Sequence, residues 1–528
     1  MEKPFAKGST IYEDVNEETA AEEGRWGSSS GGTRPPGDSS NASSDRSSLE
    51  LPEPVQTAGR YKGPPQWTQF RIAPEADAIT AIENLNSKLM EHERKDPFTR
   101  AHLNMDFTLG RLCSGVSTCH DLVGRIVGEL PVWLRGSKLL YLGPASYFDS
   151  EGGASTHVFD TPAAVQAFVF AENTDKVFYS RVAELSTASE DNTSRSEPFS
   201  SNLNAKVLGG ATFIRDYPSY ISNFGVSSEH VILMECPLLL TSPINKTGSL
   251  TGLKWETNGK TYMRVLTKLG LAVEIAYSSD TFFALEHVNA FECQNWLYVD
   301  VVVVRKGATF TSLTVENFRS GQFSFSTDPP QLRRFILPLE IPDDAKNGTN
   351  LIKLSIETET SAKAFCEGPN SVYCKPQVLT DAALCFTCIN QAYTGLAYNF
   401  CYGLIAPVDG TAWAGSKIAK LNILTGKVLC LERLSMQEVF NPPTFVPKPL
   451  GKAIEEDDGL LLSPVSHTGL AECSYLLVLD AKTLGELCRV EFHTMIPVSF
   501  SRIFLEQSAR NEQYEDSRSA VMAQEGYI

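Results

Sequence analysis

The sequence predicts an all-β fold of the β-propeller type, on two observations. Beyond Asp121 the chain is dominated by short apolar runs bounded by turn residues, among them Val231–Met234, Leu297–Val304, Ile352–Ile356 and Gly459–Leu462. Two segments also echo each other about 58 residues apart, Ile418–Val428 and Leu477–Leu487. Each reads as a strand, a turn led by Asn422 or Asp480 and ending near glycine, and a returning strand. Hairpins recurring at that distance suit propeller blades, which take roughly 40–50 residues each.

From the N-terminus, residues 1–60 are acidic and then Ser/Gly/Pro-rich, with too few apolar groups to offset ordering entropy, so disorder is expected. Residues 61–120 form a helical or extended lead-in, with helical apolar spacing over Asp77–Arg94 (Ile79, Ile82, Leu85, Leu89). Residues 121–506 carry the strands, and 507–528 read as a flexible tail. The central part is long enough for one large all-β domain.

A net charge of -17 and a pI near 5.1 argue against nucleic-acid binding, which needs basic stripes. No apolar run reaches the roughly 20 residues of a spanning helix, and the first residues lack a signal-peptide core, so a cytoplasmic protein is expected. The twelve cysteines are scattered, which favours free thiols over a disulfide framework. Cys385 and Cys388 form a lone CxxC, read as two thiols on a strand rather than a metal or redox pair. The acidic run Glu455–Asp458 reads as a solvated turn rather than a calcium site. The aromatic set Tyr393, Tyr398, Phe400 and Tyr402 reads as core packing in preference to the lining of an apolar tunnel.

Six further segments occur in a recognisable order. They are Gly128–Ser137 with Gly143-Pro144, His157–Asp160, Pro218–Gly225, Arg333–Leu339, Tyr402-Gly403 ahead of Lys420–Asn422, and the closing stretch Glu455–Phe504. Together they resemble the carotenoid cleavage oxygenases, particularly the animal branch containing the β-carotene oxygenases and the retinoid isomerohydrolase. The resemblance implies a seven-bladed propeller, reduced here. It also implies oxidative cleavage of a conjugated alkene by non-haem Fe(II), held by four histidines whose other ring N–H groups meet outer glutamates. Neutral imidazoles suit Fe(II), and the outer acceptors fix their tautomer and aim.

The positions that match the family's ligands in this sequence are Ser222 in Pro218–Gly225, Glu286 in Leu285–Glu292, and Ser501 after Ile496–Phe500. Arg502 stands where the family carries glycine. The segment for the first ligand is missing, since only about 25 residues, near 182–205, separate flanks that in the family enclose on the order of two blades. Two outer-glutamate positions fall at or near Cys385 and at Pro442. A mis-assembled transcript would explain the missing segment but not Ser222, Glu286 or Ser501, which sit inside continuous matching segments. His287 lies next to Glu286 and should face the other way on a strand. The other histidines, His92, His102, His120, His157, His230, His467 and His493, lie outside the ligand motifs and read as structural or solvated.

Two functions are compatible with this pattern. In the first, the chain holds no cofactor and acts as a scaffold or as a binder of a carotenoid- or retinoid-like apolar molecule, with peripheral membrane contact in doubt. In the second, it is an iron dioxygenase with a metal site rebuilt around Glu286 and His287.

Overall fold

The computed structural model describes residues 117–145, 157–161, 163–183, 217–241, 250–319, 325–354, 360–406, 417–434, 438–449, 455–467 and 474–506. The N-terminal tail, most of the lead-in with the helix expected over Asp77–Arg94, the gap beyond Ala183 and the C-terminal tail lie outside these residues. The first strand, Cys119–Val123, starts just ahead of the expected boundary.

Among the described residues there are five sheets of four to six strands and one two-stranded ribbon. Two of the antiparallel sheets follow chain order, the second a simple meander and the first a three-strand meander that Gln377–Val378 joins only after the chain has placed Lys363–Gly368 and Ser371–Lys375 in another sheet. One runs Phe283–Cys293, Trp296–Val304, Gln331–Pro338, Gln377–Val378; the next runs Leu384–Cys388, Phe400–Ile405, Lys417–Asn422, Val428–Glu432. The two echoing segments are the outer hairpin of this second meander and the hairpin Tyr475–Asp480/Glu486–Glu491 of the following sheet. Their turns share one chemistry. The Asn422 side chain accepts from the N–H groups of Leu424 and Thr425, and the Asp480 side chain from those of Lys482 and Thr483.

The chain ends exchange strands. Arg125–Gly128 forms the outer edge of the sheet made by Glu438–Glu491, whereas Ser501–Leu505 pairs with Lys138–Pro144 in the N-terminal sheet. Sequence-distant strands thus share ladder hydrogen bonds at both places, which ties the two ends together.

The Trp296–Val304 run is apolar throughout because it is buried on both faces, with Val299, Val301, Val302, Val303 and Val304 fully enclosed. Asp300 interrupts it and is also fully buried. It survives there because Arg334 donates two hydrogen bonds of 2.7 Å to it and the Tyr398 hydroxyl a third of 2.8 Å.

The expected strand at Ile352–Ile356 is replaced over Leu351–Leu354 by a 3-10 turn. Leu351 and Ile352, adjacent in sequence, are both buried. A helical turn allows that and an alternating strand does not. The ten described cysteines are free and most are buried. No helix among the described residues is long and apolar enough to cross a membrane.

Candidate functional site

Each of the five sheets presents one edge strand to its neighbours. Phe283–Cys293 lies against Phe224–Val226 on one side and Leu384–Cys388 on the other, and Thr444–Pro447 lies against Ser501–Leu505. All three sequence-predicted positions fall on or beside these edge strands.

A chain of hydrogen bonds connects them. Ser222, exposed just before Phe224–Val226, donates from Oγ to the carbonyls of Ala284 (3.1 Å) and Leu285 (3.2 Å), next to Glu286. Both oxygens of the Glu286 carboxylate accept from the Thr387 N–H at 3.1 Å. The Thr387 carbonyl in turn accepts from Arg502 Nη2 at 2.7 Å, beside the exposed Ser501. Ser222, Glu286 and Ser501 are therefore linked along one relay of hydrogen bonds across the edge strands.

Arg502 was singled out in the sequence only for replacing a glycine, and its contacts give it a role that reading did not assign. Its guanidinium donates to the Pro443 carbonyl through Nε (2.7 Å) and to the Phe386 (3.1 Å) and Thr387 carbonyls through Nη2. Three strands from three sheets meet on this one group. Phe386 supports it with an unusual backbone, φ 52° without being glycine, at a slip in pairing between Cys385 and Cys388. Such a left-handed residue costs about 1–2 kcal/mol. The bulge turns the Thr387 N–H toward Glu286 and the Phe386 and Thr387 carbonyls toward Arg502. A warning was present in the sequence: an arginine where the family has glycine, together with a glutamate where it has histidine, introduces opposite charges at once.

Burial pushes the Glu286 carboxyl up to about 6, against the pull of the Arg502 charge and the Thr387 N–H. His287 leaves the strand in the other direction. Its ring packs toward Gly225, where an added Cβ would stand 2.9 Å from Nδ1. Both ring nitrogens are buried without a hydrogen-bond partner. Burial accordingly lowers its pKa to about 4, so the ring is neutral at physiological pH.

His157 and His230 serve the framework. His157 caps a 3-10 turn, accepting from the Phe159 N–H, and lies 3.0 Å from the Phe310 carbonyl. His230 Nδ1 lies 3.0 Å from Glu292 Oε1. Burial works against ionisation of Glu292, but hydrogen bonds from His230, Ser227 and the Glu229 N–H hold it down to about 2.

The two outer-glutamate positions have other work. Cys385 is buried and its thiol pushed up by burial, while the Pro442 carbonyl accepts from the Tyr141 hydroxyl at 2.6 Å. Around Glu286 stand the Thr387 N–H, the Arg502 guanidinium and the thiols of Cys385, Cys388 and Cys401, each pushed up by burial and so kept protonated. Among the described residues no three His, Cys, Asp or Glu side chains are placed to share a metal. This donor set does not fit ferrous iron, and a fixed guanidinium beside it repels a divalent cation.

Next to the convergence runs a row of aromatic rings. Phe386 stacks on Phe500 (6.1 Å between centroids), Phe500 meets Phe159 (5.0 Å), Phe159 stacks on Phe310 (5.8 Å), and Phe310 touches Tyr220 (5.2 Å) and Phe283 (4.9 Å). Phe159 is 40% exposed, so the row opens to solvent. The set singled out from sequence lies elsewhere: Tyr398 and Tyr402 are buried, the latter stacked on Phe445 at 5.4 Å.

The acidic run is not a solvated turn. Glu456, Asp457 and Asp458 are all buried, and each is satisfied. Glu456 accepts from the N–H groups of Asn399 and Phe400, Asp457 pairs with Lys420 at 2.6 Å, and Asp458 pairs with Lys482 at 2.7 Å and Lys448 at 3.4 Å. The partners of Glu456 and Asp457 sit on the preceding sheet, so this run latches two sheets together. Composition alone cannot distinguish a solvated acid run from one whose cations arrive from sequence-distant strands.

Comparison with known proteins points one way. The profile of the retinal pigment epithelial membrane protein (RPE65) family matches residues 195–505. The β,β-carotene 15,15'-dioxygenase of Mus musculus is 31% identical over 297 residues, 54% of this chain and 50% of its own length. The mitochondrial carotenoid-cleaving dioxygenase of Homo sapiens is 30% identical over 309 residues, 54% of this chain and 51% of its own. The chain thus spans about half the length of the curated relatives it matches. Among solved structures, the lignostilbene dioxygenase of Pseudomonas brassicacearum superposes with a TM-score of 0.57 at 15% identity, covering 77% of this chain and 99% of that one. A Synechocystis apocarotenoid oxygenase variant gives 0.56 at 14% identity, covering 76% and 98%.

Proposed function

We propose that this chain, which belongs to the RPE65 family of carotenoid cleavage oxygenases and has their β-propeller fold, binds an apolar carotenoid- or retinoid-like molecule, or acts as a scaffold, without ferrous chemistry. One observation carries this reading. The Glu286 carboxylate is held by the Thr387 N–H next to the Arg502 guanidinium, so the acidic side chain at the convergence is committed to a protein partner and faces a cation. The aromatic row from Phe386 to Phe283 supports an apolar ligand, because stacked rings with one exposed member suit a flat conjugated chain.

Metal analysis of the purified chain, with β-carotene and an apocarotenal offered as substrates, tests the reading. The expected result is no stoichiometric iron, no cleavage, and quenching of protein fluorescence by the polyene at micromolar concentration. One Fe(II) per chain with cleavage of the alkene overturns it.

A second reading, an active non-haem iron dioxygenase with an altered site, is favoured by His287, whose neutral ring has no partner for either nitrogen. It requires that replacing Glu286 and His287 by alanine abolish both metal uptake and cleavage.

A further inference from the structure

We propose that the Arg502 guanidinium is a built-in structural cation that ties edge strands of three sheets together beside the positions matched to the family's ferrous ligands, with Glu286 as its counter-charge. The proposal rests on the reading that this chain holds no ferrous centre, and it adds what holds the edge strands together instead.

Three observations support it. First, Ser222, Glu286 and Ser501 match ligand positions on three different sheets, and the hydrogen bonds that join them run through Thr387 to Arg502. Second, the acceptors of Arg502 lie in the segments where outer glutamates are expected. The Phe386 and Thr387 carbonyls follow Cys385, and the Pro443 carbonyl follows Pro442. In a metal site those segments orient the ligands; here they receive N–H donors from the cation itself. Third, the bonds are short, 2.7 to 3.1 Å, and use two different nitrogens of one rigid plane. A planar guanidinium with fixed donor directions can link carbonyls on two strands while its own strand supplies the third. A lysine ammonium has the charge but not that fork.

The electrostatics agree. Glu286 is part-buried and would be an uncompensated charge without Arg502, whereas Arg502 keeps its carbonyls whether or not Glu286 is ionised. The strained bulge at Phe386 is retained because both ends of the pair use it, one through the Thr387 N–H and the other through the carbonyls.

Two measurements on the full chain test this. In thermal unfolding at pH 7, the wild type is expected to be indifferent to EDTA, Arg502→Met to melt about 5 °C lower, Arg502→Lys to recover less than half of that loss, and Arg502→Met to cost clearly less in a Glu286→Gln background. In the second, Co(II) is titrated into two variants and its visible absorption followed. S222H/S501H/R502G places two imidazoles beside Glu286 with the cation removed and is expected to bind Co(II) at least roughly tenfold more tightly than S222H/S501H with Arg502 kept. Equal Co(II) affinity in the two variants overturns the proposal, and this arm holds even if Arg502→Met does not fold. So does an unchanged melting temperature in Arg502→Met. Stoichiometric iron in the wild type, with a melting temperature that falls on EDTA treatment, would instead sink the no-iron reading on which the proposal stands.

Discussion

Two buried charge clusters in this molecule lie in neighbouring sheets and are built on opposite plans. In the acidic run, Glu456, Asp457 and Asp458 each have dedicated partners: backbone N–H groups for the first, Lys420 for the second, Lys448 and Lys482 for the third. At the strand convergence, one carboxylate and one guanidinium share a single residue, Thr387, and no ion pair of theirs closes directly among the contacts described. The first arrangement ties two sheets together, each acid with a partner of its own. The second leaves Glu286 with a carboxyl raised to about 6 and, on the adjacent residue, an imidazole lowered to about 4. In the acidic run each buried acid has partners of its own; at the strand convergence there is a single cation and a poorly solvated acid.

Breaking the latch should have the largest effect. Lys420→Met leaves Asp457 buried without its cation and is expected to cost about 3–5 kcal/mol in denaturant unfolding at neutral pH.

His287 comes next. Its folded pKa of about 4 lies below the usual 6.5, so its contribution is complete above pH 6.5 and is lost as pH falls toward 4, about 3 kcal/mol in all. His287→Leu should remove that acid-side slope from the wild-type stability profile. An unchanged slope would mean that the ring is not enclosed as the structure has it.

Glu286 has the opposite sign and a smaller size. Its folded pKa of about 6 lies above the ordinary 4.5, so the folded state favours the protonated form, and stability falls as pH rises between those values, by about 2 kcal/mol. Relative to the wild type, Glu286→Gln should gain about that much between pH 4.5 and pH 7, measured by melting across the range.

Ser501→Ala should do least. The hydroxyl is exposed, and the change should stay within about 0.5 kcal/mol. A large loss there would show that the serine has a role at the convergence which the contacts do not reveal.

Much of the architecture was legible in the chain. The runs Val231–Met234, Leu297–Val304 and Gly459–Leu462 are strands, and the Asn422 and Asp480 turns echo each other in structure as in sequence, because local side-chain bonding sets a turn without help from distant residues. Ile352 misled, since its apolar spacing fits a strand and a buried 3-10 turn equally well. The acidic run misled for a related reason: its cations, on Lys420, Lys448 and Lys482, are invisible to any window around Glu456.

The candidate site divides the same way. The expectation that Ser222, Glu286 and Ser501 take the ligand positions came from the sequence, and so did the arginine at 502. That hydrogen bonds link these residues, that Arg502 spans carbonyls on Leu384–Cys388 and beside Thr444–Pro447, and that His287 turns away into an unpartnered pocket were decided only when the strands packed. Sequence fixes which donors and acceptors a strand carries. Which of them meet depends on bulges and strand exchanges between residues hundreds of positions apart, and those are set by burial across the whole fold.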